Sequence, residues 1–242
     1  MAPENSSRLD GIPFLASLSR EKLSDLEMRC RWRRYDVGEQ IVDRDNTDSD
    51  VYFVVSGLVQ IVNFSLLGRE VAFAQLSGGA IFGELAAIDG EPRSANVVAL
   101  EETHLASLPA SVFKSLLLDN PDMMMDLLHR LANIIRINTE RIMDLSTLGA
   151  VQRVYQEIIR MAEACRPREG VEEDWRISPI LTHKTIASHA STTRETVARS
   201  MGQLASGGIV ERRGNSLFVR DFDRLQRLAG ALDVDFDGNL SR

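Results

Sequence analysis

The chain has little cysteine. Cys30 and Cys165 stand far apart among 242 residues, too few and too distant to build a metal cluster. They read as ordinary thiols of a reducing compartment. No uninterrupted apolar run reaches the roughly 18 residues of a membrane span, so no membrane partner is expected. Met1 to Asp10 is polar and holds no apolar signal core, which points to a cytoplasmic chain. His104, His129, His183 and His189 lack metal-ligand spacing, so no metal is expected and they read as core or surface residues. No Ser/His/Asp or Cys/His arrangement stands out locally, which argues against an enzyme. An excess of positive charge is also missing. The net charge is −7, and composition alone does not advertise nucleic-acid binding.

What is present is unevenly distributed. Apolar residues make up 44% of the chain, enough for one large domain or two moderate ones. Thr182 to Arg220 carries Lys184, Arg194, Arg199, Arg212, Arg213 and Arg220 against Glu195 and Glu211. That segment is +4, which leaves −11 on the rest of a chain at −7. A basic module is joined to an acidic body.

Ile12 to Arg29 has helical spacing at Leu15, Leu18, Leu23 and Leu26, with Ser19 as N-cap. Trp32 to Leu108 alternates short β-rich runs with turns. Val51 to Val55 and Leu58 to Val62 are strands, and Gly38, Gly57, Gly68, Gly78-Gly79 and Gly90 mark turns. Such punctuation predicts an antiparallel double-sheet roll. Asn96 to Leu100 resumes a strand and Pro109 to Leu118 reads as a short helix. A long helix starts near Pro121. Met124, Leu128, Leu131, Ile135, Asn138, Ile142 and Leu145 form a heptad seam suited to pairing two copies. Asn138 is a polar residue at a seam position, where it needs a partner or sets register. Leu148-Gly149 is a hinge, Val151 to Cys165 a helix, Pro167 to Asp174 a charged loop and Ile177 to Leu181 a short strand. Asp233 to Arg242 reads as an acidic, frayed tail.

Two stretches carry chemistry. In Gly83 to Ala95, Gly83 lets backbone approach a ligand, and Ala86 to Ile88 suits a short helix whose free N–H groups face an anion. Arg93 offers a planar fork to phosphate oxygens and Ser94 a hydroxyl. Glu84 would repel phosphate but suits a ribose hydroxyl, because an ionised carboxylate only accepts. A plain surface turn with an Arg–Glu pair has the same residues. In the second stretch Thr182 caps a short helix, His189 to Thr192 turns, and Thr193 caps a second helix to Leu204. Val197, Met201 and Leu204 face inward, while Arg194, Glu195 and Arg199 face outward near the helix start, as base-reading side chains do in a major groove. Ile209 to Val219 reads as two strands around a Gly-Asn turn, a wing.

Phe82-Gly83-Glu84-Leu85 followed by Arg93-Ser94-Ala95 resembles the phosphate-binding cassette of cyclic-nucleotide-binding domains. Arg194-Glu195-Thr196-Val197 with Arg199 resembles the recognition helix of the CRP/FNR family of bacterial transcription regulators. The likeness runs from Leu15 to Leu228. It implies an α+β chain: a cyclic-nucleotide-binding β-roll (1–120), a dimerisation helix and hinge (121–149), a winged helix-turn-helix (150–228) and a tail (229–242). Its ligand would be cyclic AMP, with cyclic GMP left open, held by Phe82, Gly83, Glu84, Leu85, Arg93 and Ser94. Asn138 and Thr139 would touch the base. Its partners would be double-stranded DNA, a second copy of the chain and RNA polymerase. Thr182, His183, Ser191, Thr193, Arg194, Glu195, Thr196 and Arg199 would meet DNA at a palindromic TGTGA-like site, with Arg212 and Arg213 on phosphates. His183 and His189 are further candidates for DNA phosphates. Relatives of this architecture sense other small molecules or redox state. The N-terminal cysteine set of the iron–sulfur members is missing, and the complete Glu84, Arg93 and Ser94 set favours a nucleotide. The turn Asp89 to Pro92 is one residue shorter than in the best-known enterobacterial member, a change a loop absorbs.

Overall fold

A computed structural model describes residues 8–65, 70–165 and 175–230. The turn at Gly68, the charged loop over 167–174 and the acidic tail over 233–242 lie outside the described residues. The chain divides into two compact units, Met1–Ile135 and Arg136–Arg242.

In the first unit a 3-10 turn at Pro13–Leu15 precedes α1 (Arg20–Arg29). Ser19 caps α1, its Oγ accepting from the Lys22 N–H at 3.3 Å. Then come β1 (Arg31–Tyr35), β2 (Gln40–Val42), β3 (Val51–Ser56), β4 (Leu58–Phe64), β5 (Glu70–Ser77), β6 (Ile81–Phe82), α2 (Glu84–Asp89), β7 (Asn96–Ala99), β8 (Thr103–Leu108) and α3 (Ala110–Leu118). The strands pair antiparallel as two four-stranded sheets, β1-β8-β3-β6 and β2-β7-β4-β5. This is the expected double-sheet roll. Successive strand residues point to opposite faces. In β3, Tyr52 and Val54 therefore enter the core between the sheets, while Val51 and Phe53 meet the helices. Burial on both sides explains why Val51 to Val54 is an unbroken apolar run.

The long helix α4 (Pro121–Thr147) starts in the first unit and continues into the second. Met123 and Leu127 are its buried anchors in the helical core. Of the seam residues, Leu128, Ile135, Ile142 and Leu145 remain exposed in the single chain, while Met124 and Leu131 are half-buried against the helical core.

The second unit holds α5 (Ala150–Ala164), β9 (Trp175–Ile177), α6 (His183–His189), α7 (Arg194–Ser206), β10 (Val210–Arg213), β11 (Ser216–Val219) and α8 (Phe222–Gly230). Val154, Ile158, Ile159 and Ala162 face its core, as expected of α5. The strand expected over 177–181 lies earlier, at Trp175–Ile177, where it pairs with β11. Pro179 has no N–H for a ladder, and the chain leaves the sheet there. On α7 the fully buried residues include Ser200 as well as Val197 and Leu204, while Met201 is half-buried. Helix α8, not anticipated from sequence, packs Leu225 and Ala229 into the same core.

Candidate ligand and DNA-binding sites

The first candidate site surrounds one glycine. Gly83 joins β6 to α2 with φ of 84°. A Cβ there would stand 2.6 Å from Nη1 of Arg93 and 2.8 Å from the Asp50 carbonyl oxygen, so both conformation and space demand glycine. The close approach lets Arg93 Nη1 donate to the Gly83 carbonyl at 3.0 Å. Arg93 Nη2 donates to the Asp50 carbonyl at 2.6 Å and to Asp48 Oδ2 at 2.9 Å. Its Nε is buried without a partner. The Tyr52 hydroxyl donates to the same Asp48 oxygen at 3.0 Å, and the Tyr52 ring stacks on Phe82 at 4.9 Å.

Two opposite charges are thus buried around Gly83: Glu84 is 6% and Arg93 4% exposed. Burial pushes the Glu84 pKa up; backbone hydrogen bonding, then Arg130 and Arg93, oppose it without cancelling it. Burial also raises that of Asp48, but the hydrogen bonds from Arg93, Asp50 N–H and Tyr52 outweigh it and leave Asp48 below the usual carboxylate range. Leu85 and Ser94 are exposed, and the Ser94 carbonyl accepts from Asn63 Nδ2 at 3.1 Å. The cassette residues from Phe82 to Ser94 come together. Asn138 and Thr139 stand on α4 within the second unit, exposed to solvent.

Sequence reasoning missed three residues here. Asp48 and Tyr52 come from chain far upstream, brought in by the β3–β6 pairing of Tyr52 with Phe82. Arg130 comes from α4, and its Nη2 donates to the Ile81 carbonyl at 2.7 Å.

The second candidate site is the helix pair α6 and α7. Thr182 and Thr193 cap the two helices, accepting at 3.2 Å from the N–H groups of Thr185 and Thr196. Arg194, Glu195 and Arg199 are exposed over the first turns of α7, while Val197 holds its back face. Hydrogen bonds from its own backbone N–H and from Thr193 hold the Glu195 carboxyl below the usual carboxylate range. The turn between the helices places Ser191 at φ of 49°, a left-handed conformation. Arg153 of α5 holds that turn. Its Nε and Nη2 donate to the Ala190 and Ser191 carbonyls at 2.9 and 3.1 Å, and its Nη1 to Leu148 at 2.8 Å.

One candidate moves out of the site. The His189 side chain is 7% exposed, and its Nδ1 lies 2.8 Å from Oε1 of buried Glu157. It cannot reach a DNA phosphate while packed there. The wing arginines also differ from each other. Arg213 is bound through Nε and Nη2 to Glu211 at 2.6 and 3.2 Å. Arg212 donates to the Gly214 carbonyl at 3.3 Å and keeps its charge for a partner.

A family model of the cyclic nucleotide-binding domain matches residues 32–120, and one of the Crp-like helix-turn-helix domain matches residues 152–228. The cyclic AMP receptor protein of Thermus thermophilus is 30% identical over 225 residues, 93% of this chain and 100% of that one. A CRP-like cAMP-activated global transcriptional regulator of Mycobacterium tuberculosis is 28% identical over 179 residues, 74% of this chain and 79% of that one. Among solved structures, a CooA variant from Carboxydothermus hydrogenoformans has a TM-score of 0.77, covering 93% of this chain and 97% of that one. At 20% identity that likeness concerns the fold alone. With a glycine-cornered cassette in one unit and a capped helix pair with a wing in the other, the chain belongs to the CRP/FNR family of ligand-gated, DNA-binding transcription regulators.

Proposed function

We propose that this regulator is gated by a cyclic nucleotide, cyclic AMP or cyclic GMP, and acts as a homodimer on a palindromic site. The observation that carries the reading is the burial of Glu84 and Arg93 around Gly83. A cyclic nucleotide offers each what it lacks. The ribose hydroxyl donates to the Glu84 carboxylate. The phosphate accepts from the unpartnered Arg93 Nε and from Nη2 beside it, which it shares with Asp48. Phe82, Leu85 and Ser94 complete the cassette. Asn138 and Thr139 are assigned to the base by the family's pattern. The T. thermophilus and M. tuberculosis relatives are named for cyclic AMP, which makes it the first ligand to test.

The exposed seam of α4, with Leu128, Ile135 and Ile142 at seven-residue spacing, supports pairing with a second copy. A twofold protein reads a palindrome, with half-site centres about 34 Å apart. Arg194 and Arg199 read guanines of a TGTGA-like half-site and Glu195 accepts from a cytosine amine. Thr182, His183, Ser191, Thr193 and Thr196 line the same face, and RNA polymerase is the downstream partner. Asn138 carries both an acceptor and a donor, and Thr139 a rotatable hydroxyl, so the pair suits adenine and guanine alike. The two nucleotides should bind within about 2 kcal/mol of each other, near the cost of one unsatisfied polar group. Competition calorimetry tests this: a preference beyond about a hundredfold overturns the loose discrimination. Failure of both to bind overturns the nucleotide reading. Binding selection from random duplexes tests the palindrome.

A further inference from the structure

Helix α4 carries a charged side chain within its core-facing stripe, between Leu127 and Leu131. Met123 and Leu127 face the helical core, and helical spacing puts Arg130 next on that face. Its Nη2 donates to the carbonyl of Ile81 at 2.7 Å, and its Nε is buried without a partner. Two residues further along the chain, the Gly83 carbonyl accepts from Arg93 at 3.0 Å. Two guanidiniums from different elements therefore hold the corner Ile81-Phe82-Gly83-Glu84. Arg93 belongs to the cassette's own turn, and Arg130 belongs to the helix that continues past the first unit to Thr147.

We propose that Arg130 is the positioning residue through which occupancy of the cassette acts on α4. The inference rests on the cassette being a cyclic-nucleotide site. In the cassette Arg93 pairs with Asp48, and Arg130 and Arg93 both act on Glu84, two cations for two acids. A cyclic phosphate adds one negative charge. Arg93, already bonded to Asp48, then serves two anions, and its share in balancing Glu84 falls. The charge left on Glu84 draws on Arg130, which already acts on it. Arg130 has a donor to spare in Nε. Ligand thus tightens the bond between the cassette corner and α4. Thermodynamic linkage requires the converse: loosening that bond weakens the ligand. Asn138 and Thr139 lie further along the same helix, so the firmness of α4 bears on how they are presented.

The experiment compares wild type, Arg130→Met and Arg130→Lys. Calorimetry measures cyclic AMP binding, and anisotropy of a labelled duplex carrying the selected palindrome measures DNA affinity with and without saturating cyclic AMP. Arg130→Met should bind cyclic AMP at least about fivefold more weakly, and its with-to-without ratio of DNA affinities should move toward one by a similar factor, within the usual range of allosteric coupling. Arg130→Lys keeps the charge and should recover part of both. A purely structural role would lower the melting temperature and leave the ratio untouched, which overturns the proposal. Should Arg130→Met fail to fold, hydrogen exchange on wild type still decides. Cyclic AMP should slow exchange over residues 123–135, and unchanged protection there overturns the inference. Wild type that binds neither cyclic AMP nor cyclic GMP overturns the cassette reading and this proposal with it. Wild type that binds and responds, beside an Arg130→Met that responds identically, overturns this proposal alone.

Discussion

Replacing Arg93 with leucine should damage the fold as well as the ligand site. The side chain is 3% exposed and donates to Gly83 O, Asp50 O and Asp48 Oδ2. Leucine leaves two carbonyls and one carboxylate short of a donor. Breaking a buried ion pair costs about 3–5 kcal/mol. Asp48 is 38% exposed and keeps the Tyr52 hydroxyl and the Asp50 N–H, so water recovers part of the loss. The lower end, about 3 kcal/mol at pH 7, is the expected change in stability. Nucleotide binding should fall by a further 2–5 kcal/mol, about the cost of stranding a buried anion. The pH dependence has a definite sign. Asp48 is depressed in the folded state, so its contribution is present above the unfolded carboxylate pKa of about 3.9 and disappears as pH falls through the folded value. The gap between wild type and Arg93→Leu should therefore be constant above about pH 5 and narrow below about pH 4. Urea unfolding followed by Trp32 fluorescence in a Trp175→Phe background isolates the first unit. A stability change under about 1 kcal/mol, or a gap that widens in acid, refutes the account of Arg93 as a buried, paired charge.

Glu84→Gln should do the reverse in the empty protein. Burial raises the Glu84 pKa, so stability declines as pH rises from the unfolded carboxylate range through the folded value, and the glutamine variant should be the more stable at pH 7 by urea titration while binding cyclic nucleotide more weakly by calorimetry. Ser191 sits at φ of 49°, and Ser191→Gly should raise the melting temperature of the second unit through up to about 1 kcal/mol of relieved strain. Arg212→Gln should reduce the slope of log DNA affinity against log salt by about 0.9, one phosphate contact, and Arg213→Gln by less, because Arg213 is already bonded to Glu211, which it shares with Arg220.

The parts of this protein that were legible in the sequence are those whose partners lie close along the chain. Thr182 and Thr193 cap helices three residues away. Gly83, Glu84 and Arg93 lie close together along the chain, so their resemblance to a known cassette was visible, although spacing alone left a plain surface turn open. Residues whose partners are distant were not legible. Tyr52 meets Phe82 only through the register of two strands. His189 meets Glu157 across 32 residues, and Arg153 meets Ser191 across 38. Both Glu157 and Arg153 lie on α5, whose sequence pattern shows its apolar face and not the distant partners of its charges. Helix α4 was harder for another reason. The regular seven-residue step through Leu128 and Ile135 masks the core contacts of Met123 and Leu127, which the seam residues Met124 and Leu131 join. In the proposed dimer the seam is the more periodic because every turn of it meets the same kind of partner. The stripe that packs against the roll has to match an irregular surface. Where that surface offers a carbonyl, as at Ile81, an arginine is the better occupant. Arg130 therefore breaks the apolar pattern where α4 meets the Ile81 carbonyl.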